Sequence, residues 1–349
     1  MSRLTFAGNS ILGSAMTKPS VLVLYNQPLL PGDHPEAASE HTIIEIAERM
    51  AKVLDAAGFS VGKLALGADP GVLWSELKQR KPDVVFNLYE GQLDNAESET
   101  YVAGLLEWSG IAYTGSRPRT LSLARAKDMT KYLLKGAGLP SAEFAVVDTL
   151  PVPAWNSAFP AIVKPARMDA SVGIDQKSVC VSQAEIEDRV NYLFATYGSP
   201  VLIERYIKGR EFHVPLVEVS RLHALPPLEI GLPDEAPGAW SILSYERKWG
   251  PAAPQKTRAD LPGELVNRLA DIAVKAYRLV GCRHYARVDF RMSELGELFI
   301  LEVNPNPEIS EDSGFGPGSM PLETFVVRLV EEALTEHALR RAGKLAANT

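Results

Sequence analysis

Two stretches near the carboxyl end carry the residue types best suited to chemistry: Arg287-Val-Asp289-Phe-Arg291 and Leu298-Phe-Ile-Leu-Glu302-Val-Asn304-Pro-Asn306-Pro. A turn at Gly296 would fold them as antiparallel strands and set Asp289 near Glu302 and Asn304. Glu302 and Asn304 are two apart and so share a face. Two carboxylates and an amide oxygen repel one another there unless a cation intervenes. An all-oxygen set suits Mg2+ or Mn2+ bridging substrate phosphates; the plainer reading is a solvated acidic hairpin.

Lysines lie upstream. Lys164 ends the apolar run Phe159-Pro-Ala-Ile-Val-Lys164-Pro165, Lys127 lies on the helix after Ser116, and Lys248 follows Tyr245 in an aromatic-flanked loop. Each alone reads as a surface or snorkelling side chain; together they would neutralise a triphosphate. The loop Arg167-Met-Asp-Ala-Ser171-Val-Gly173 can aim backbone N–H groups at phosphate oxygens, or be an ordinary hairpin turn. In Val201-Leu-Ile-Glu204-Arg-Tyr206-Ile207-Lys-Gly209-Arg-Glu211, backbone groups can pair with an adenine edge and Glu211 can accept from ribose hydroxyls. The competing reading is a wet interdomain crossover with a hinge at Gly209.

Positioning these residues requires elements, and the pattern supplies them. Strands are expected at Val21–Tyr25, Phe59–Leu64, Asp83–Leu88 and Ile111–Ser116, with helices at Thr42–Ala57, Val72–Gln79 and about Glu97–Ser109. The first of these helices places Ile43, Ile46, Ala47, Met50, Val53, Leu54 and Ala57 on one face. This β-α-β order implies a parallel, doubly wound sheet whose ligands gather after Tyr25 and after Leu88. A helix from Pro118 to Gly138 leads into an α+β segment with strands at Phe144–Val147, Ala161–Pro165, Val179–Val181 and Val201–Tyr206, and a helix at Gln183–Tyr197. The final third reads as strands at Glu211–Val219 and Ser241–Tyr245, a helix at Pro262–Val280, the pair Tyr285–Met292 and Glu297–Val303, and a helix at Pro321–Arg341.

At 349 residues the chain has room for two or three domains, and 46% hydrophobic with 23% charged residues is ordinary globular usage. A net charge of −7, from 36 basic and 43 acidic residues, disfavours a nucleic-acid partner. No apolar run is long enough to cross a membrane, and residues 1–17 read as a loose leader rather than a signal peptide. Cys180 and Cys282 have no metal or disulfide spacing and read as buried, reduced thiols of a cytoplasmic protein. The six histidines read as surface or hydrogen-bonded core residues, too scattered for zinc.

In this order, Lys127, Lys164-Pro165, Ser171-Val-Gly173, Glu204 to Glu211, Lys248, Arg287-Val-Asp289 and Glu302-Val-Asn304 resemble the ATP-grasp fold and, within it, the D-alanyl-D-alanine ligase family. Tyr113-Thr-Gly115-Ser116 and Leu123-Ala-Arg-Ala-Lys127 look like the junction of that family's first two domains, and the resemblance runs from about Val21 to Leu334. It implies a parallel doubly wound α/β domain over 18–116, then the two α+β halves of the grasp over 117–205 and 206–349. Carried over by position, Lys127 and Lys164 hold the α- and β-phosphates, and Glu204, Tyr206, Ile207 and Glu211 surround adenine and ribose. Lys248 and Ser171 approach the γ-phosphate, Asp289, Glu302 and Asn304 hold two Mg2+ (or Mn2+), and Arg287 faces the substrate and the transition-state oxyanion.

The implied reaction is a C–N ligation: ATP phosphorylates the carboxylate of one amino acid, such as D-alanine, and the amine of a second displaces phosphate. The resemblance further implies a homodimer and a part in peptidoglycan synthesis, or a paralogue with other small substrates. The alternative is a nucleotide-binding scaffold without turnover. Departures fall at the amino-acid pockets. Asp169-Ala170 precede Ser171 where glycine and serine are usual, Trp249 stands for a tyrosine, and Glu308 follows Asn304-Pro-Asn306-Pro where the ligases place small residues. The usual glycine pair of the first domain is replaced by the run from Tyr25 to His34, which leaves Glu40, then Glu45, as the candidate amine-binding acid.

Overall fold

The computed structural model describes residues 18–29, 37–92, 95–168, 171–198, 200–232, 238–249, 254–258, 260–315 and 320–343. The expected leader, His34 and Asp169-Ala170 lie outside them, as do the side chains of Glu40 and Trp249.

The first third is β1 (Ser20–Asn26), α1 (Ala37–Ala56), β2 (Ser60–Leu66), α2 (Pro70–Arg80), β3 (Val84–Asn87), α3 (Ser98–Ser109) and β4 (Ala112–Tyr113), with a parallel sheet in the order β2-β1-β3-β4. Local chemistry sets the limits. Asp69 caps α2 by accepting from Gly71 N–H with Pro70 in the first turn, and Gly110 closes α3 in the left-handed region. Along β1, Leu22 and Leu24 face α2 and α3, whereas Val21 and Val23 face α1. Ala57 lies beyond the end of α1 and is exposed, so it leaves the apolar face expected for it.

Next come α4 (Pro118–Arg125), α5 (Lys127–Gly136), β5 (Phe144–Val147), β6 (Ala161–Pro165), β7 (Val179–Cys180), α6 (Gln183–Tyr197) and β8 (Val201–Arg205), forming an antiparallel sheet in the order β5-β8-β6-β7. The single helix expected over 118–138 is broken at Ala126. There Lys127 N–H turns away from the helix to donate to Ala166 O (3.0 Å), tying α5 to the end of β6.

The rest is β9 (Gly209–Val219), β10 (Arg221–Ala224), β11 (Leu228–Ile230), α7 (Tyr245–Trp249), β12 (Lys256–Arg258), α8 (Gly263–Val280), β13 (Tyr285–Ser293), β14 (Leu298–Asn304) and α9 (Leu322–Arg341). The third sheet runs β12-β11-β9-β13-β14, with β10 paired to β9. The strand expected at Ser241–Tyr245 is absent. Ser241 O is already taken by Tyr206 Oη (3.0 Å), and Ser244 starts α7 by accepting from the N–H groups of Arg247 and Lys248. The closing helix α9 returns to the first sheet, where Phe325, Leu329 and Val330 join Val21, Val23 and Phe86 in one core.

Arg283 and His284 fasten the third sheet to the first. Arg283 Nε donates to Gly115 O (2.7 Å) and Nη2 to Tyr113 O (3.0 Å), while Gly115 N–H donates to His284 Nδ1 (3.1 Å). His284 is fully buried at φ +69°, and burial, then Arg283, holds its imidazole down to about 4. The unfolded side chain protonates near 6.5. Its contribution to stability is therefore complete above that pH and is lost as pH falls toward about 4, by up to about 1.4 kcal/mol per unit. His284→Asn, which suits the left-handed backbone, should flatten the fall of the urea midpoint between pH 7 and 4.5. An unchanged slope would remove His284 as its source.

Candidate active site

Alternate residues of β9, β13 and β14 build one charged face: Glu211 and His213, then Arg287, Asp289 and Arg291, then Glu302 and Asn304. The other face, with Phe212, Val214, Val288, Phe290 and Ile300, packs on α8. Asp289 pairs with Glu302 and Arg287 with Asn304, the juxtaposition expected from the motif. Phe290, however, pairs with Ile300, which makes Leu301 an extra residue. This bulge lets Ile300 and Val303 both reach the core while Glu302 and Asn304 stay on the charged face.

Arg287 binds Asp289 with two hydrogen bonds (Nε–Oδ1 2.7 Å, Nη2–Oδ2 2.8 Å), and Asn304 Nδ2 donates to Asp289 Oδ2 (2.9 Å) and Glu302 Oε1 (3.4 Å). Burial alone would raise the Asp289 carboxyl, but Arg287 and then His213 hold it below the usual range. Glu302 behaves likewise: burial pushes it up, and Lys127, 3.6 Å away, brings it down with help from Lys164 and Arg287. On the adjoining strand Glu211 meets His213 Nε2 at 3.4 Å and Arg291 Nε at 3.4 Å.

The central sheet and α5 supply the cations. Lys164 pairs with Leu202, so it shares a face of the sheet with Glu204 two residues on, and its Nζ lies 2.5 Å from Glu204 Oε2. Lys131, four after Lys127 on α5, contacts the other oxygen of Glu204. Lys127 Nζ also donates to Met168 O (2.8 Å). Lys248 on α7 is held below the usual lysine range by burial and then by Arg287, while Glu302 and Asp289 pull it back up. Its ammonium therefore belongs to the same electrostatic cluster.

Between the two sheets, Tyr206 and Ile207 are buried, and the Tyr206 ring meets Trp240 edge-on at 5.4 Å. Gly209 sits at φ +146°, where a Cβ would fall 2.0 Å from Met292 O; only glycine lets the crossover pass so close to β13. Ser171, at φ +63°, lies in the turn after β6, and no hydrogen bond among the described residues ties it to the charged face. Glu40 falls in the first turn of α1 and Glu45 is exposed.

The sequence reading missed several participants. His213 and Arg291 had a signal, since they alternate with Glu211 and Asp289 along their strands. Lys131 had only its helical spacing from Lys127. Asn306 donates to Tyr89 O (3.0 Å) and to Glu99 Oε1 (2.7 Å) and accepts from Tyr285 Oη (2.8 Å), joining the motif strand to the loop after β3. That loop carries Glu90, whose N–H donates to Asn26 Oδ1 (2.9 Å) at the end of β1. Glu90 is exposed by surface area, and the protein atoms packed near it, then Glu308 and Glu99, shift its carboxyl above the usual range.

Among the described residues no three His, Cys, Asp or Glu gather as metal ligands. The donor set is the carboxylates of Asp289 and Glu302 and the amide Oδ1 of Asn304, whose Nδ2 bonds both carboxylates. These hard oxygen donors fit Mg2+ or Mn2+, which ordinarily complete their shell with phosphate oxygens and water.

The family described as D-ala D-ala ligase C-terminus matches residues 133–320. The uncharacterized protein y4sG of Sinorhizobium fredii is 32% identical over 77% of this chain and 80% of its own length. The D-alanine–D-alanine ligase of Ruegeria pomeroyi is 30% identical over 86% of this chain and 90% of its own length. A crystal structure of the Bacillus anthracis ligase in complex with ATP superposes with a TM-score of 0.69 at 19% identity, covering 92% of this chain and 99% of that one. With the ATP-grasp fold in place and family sequence spanning the charged face, the chain belongs to the D-alanine–D-alanine ligase family.

Proposed function

We propose that this protein uses ATP to join the carboxylate of one small amino acid to the amine of another, releasing ADP and phosphate. The observation that carries the reading is the single charged face on which Asp289, Glu302, Asn304 and Arg287 meet Lys127, with Lys164 and Lys248 within its field. A carboxylate is a poor electrophile until phosphate is installed as a leaving group. The first step therefore moves the γ-phosphoryl group to a carboxylate oxygen and leaves ADP. The amine nitrogen of the second substrate then attacks the acyl carbon, the C–O bond to phosphate breaks, and the nitrogen gives up a proton.

In this reading Lys127 and Lys164 bind the α- and β-phosphates, Lys248 and Ser171 the γ-phosphate, and Tyr206, Ile207, Glu204 and Glu211 the nucleoside. Two Mg2+ ions, held by Asp289, Glu302 and Asn304, would offset phosphate charge when bound. Arg287 offers a fixed cation to the oxyanion that develops at the acyl carbon. Residues 18–116 would form the first-substrate domain and 117–205 and 206–349 the two halves of the grasp. Glu90, in the loop after β3 where ligands of parallel sheets gather, joins Glu40 as a candidate for the substrate ammonium, whose charge would favour the ionised form of the Glu90 carboxyl. We place the enzyme in the cytoplasm, where the buried thiols of Cys180 and Cys282 stay free.

Phosphate release from ATP should depend on an added amino-acid pair, D-alanine among them, and mass spectrometry should find the product lighter than the two substrates by one water. ATP turnover indifferent to every amino acid in a D- and L-panel would overturn the reading.

A further inference from the structure

Glu204 is a buried carboxylate between two lysines, and the lysines are not equivalent. Lys131 has 2% of its side chain accessible, Lys164 11% and Glu204 3%. Lys131 is the inner partner: besides Glu204 it reaches Ser141 Oγ (3.3 Å) and Ile300 O (3.5 Å), acceptors on two further segments that fix its ammonium. Lys164 stands at the end of β6 with the more open side chain. Two cations thus serve one anion, and one cation is surplus.

We infer that Lys131 is a positioning residue for nucleotide binding: it holds Glu204 as a permanent counter-ion, so that Lys164 can leave that carboxylate for the phosphates. This inference rests on the ligase reading, in which Lys164 meets phosphate. Without Lys131, Glu204 would be a buried anion with one partner. Releasing Lys164 would then strand the carboxylate, a state that buried anions resist. Glu204 would compete with phosphate for the same ammonium. A lysine that merely filled space would produce no such competition, and its loss would not be reversed by neutralising Glu204.

Inorganic tripolyphosphate with Mg2+ is the sharpest probe, because it has no adenine for Glu204 to touch. Its affinity, and that of Mg·ATP, can be measured by calorimetry on the full chain. Lys131→Gln should weaken tripolyphosphate binding roughly 10-fold and raise the KM for ATP more than it lowers kcat. Lys131→Arg should stay within about twofold of the wild type, since it keeps the charge. The double variant K131Q/E204Q, which removes both charges of the pair, should bind tripolyphosphate at least as tightly as the wild type. Binding by Lys131→Gln within twofold of wild type overturns the inference, as does a double variant as weak as Lys131→Gln. If Lys131→Gln does not fold, the double variant decides alone, and binding weaker than wild type refutes the role. A wild-type protein that binds neither Mg·ATP nor tripolyphosphate removes the ligase reading itself, a failure distinct from normal wild-type binding with an indifferent Lys131→Gln.

Discussion

Glu302→Gln should lower ATP turnover by about 10²–10³-fold while leaving the protein folded. The side chain keeps its shape, and Lys127 retains its hydrogen bond to Met168 O (2.8 Å), so no cation is left bare. What is lost is one of the two carboxylates on the charged face, and with it charge that a divalent cation would need. The Mg2+ concentration giving half-maximal turnover should rise together with the fall in kcat. A scaffold that binds nucleotide without turnover would show neither change. Steady-state phosphate release across a Mg2+ titration, beside a thermal melt, checks both. Turnover within threefold of wild type would mean that Glu302 is not part of the reacting centre.

Arg287 should give the second large effect, by a different physical route. Its guanidinium makes two hydrogen bonds to Asp289, and the buried carboxylate in turn keeps Arg287 charged against the cost of burial. Arg287→Met should cut kcat by about 10²–10³-fold through loss of the cation offered to the oxyanion. It should also destabilise the protein by about 3–5 kcal/mol, because Asp289 is left as a buried charge with its main partner gone. Arg287→Lys restores the charge but not the two-pronged geometry, so it should regain most of the stability and little of the kcat. Denaturant unfolding and single-turnover kinetics on the two variants separate these contributions. Equal kcat for Lys and Arg at this position would show that charge alone suffices.

Most elements were legible because their periodicity was strong. α6 spans Gln183–Tyr197 as expected, since Ser182 marks its start and Gly198 its end. The hairpin of β13 and β14 was legible for a related reason: alternation along each strand sorts charged from apolar residues. The misses share a cause. Residues 241–245 resemble a strand by composition, but Ser241's carbonyl is taken by groups distant in sequence, Tyr206 and Arg291, and no local pattern announces that. The break at Ala126 arises in the same way, from a hydrogen bond to Ala166 forty residues on. In the site, Asp289, Glu302 and Asn304 could be paired by register alone. Lys131, Asn306 and Glu99 are joined to their partners by the meeting of different sheets, which spacing does not encode. The bulge at Leu301 was equally hidden, because it appears only when two strands are set side by side.

The return of α9 to the first sheet has a consequence for how the protein comes into being. Phe325, Leu329 and Val330 complete a core begun by Val21, Val23 and Phe86, roughly 240 to 310 residues earlier in the chain. During synthesis the strands of the first sheet leave the ribosome with one apolar flank that α1 covers only in part and that α9, made after both other sheets, completes. That flank must wait through the making of both other sheets, the interval in which unpaired apolar surface invites misassembly. The core of the first sheet is thus completed only after the other two sheets have been made.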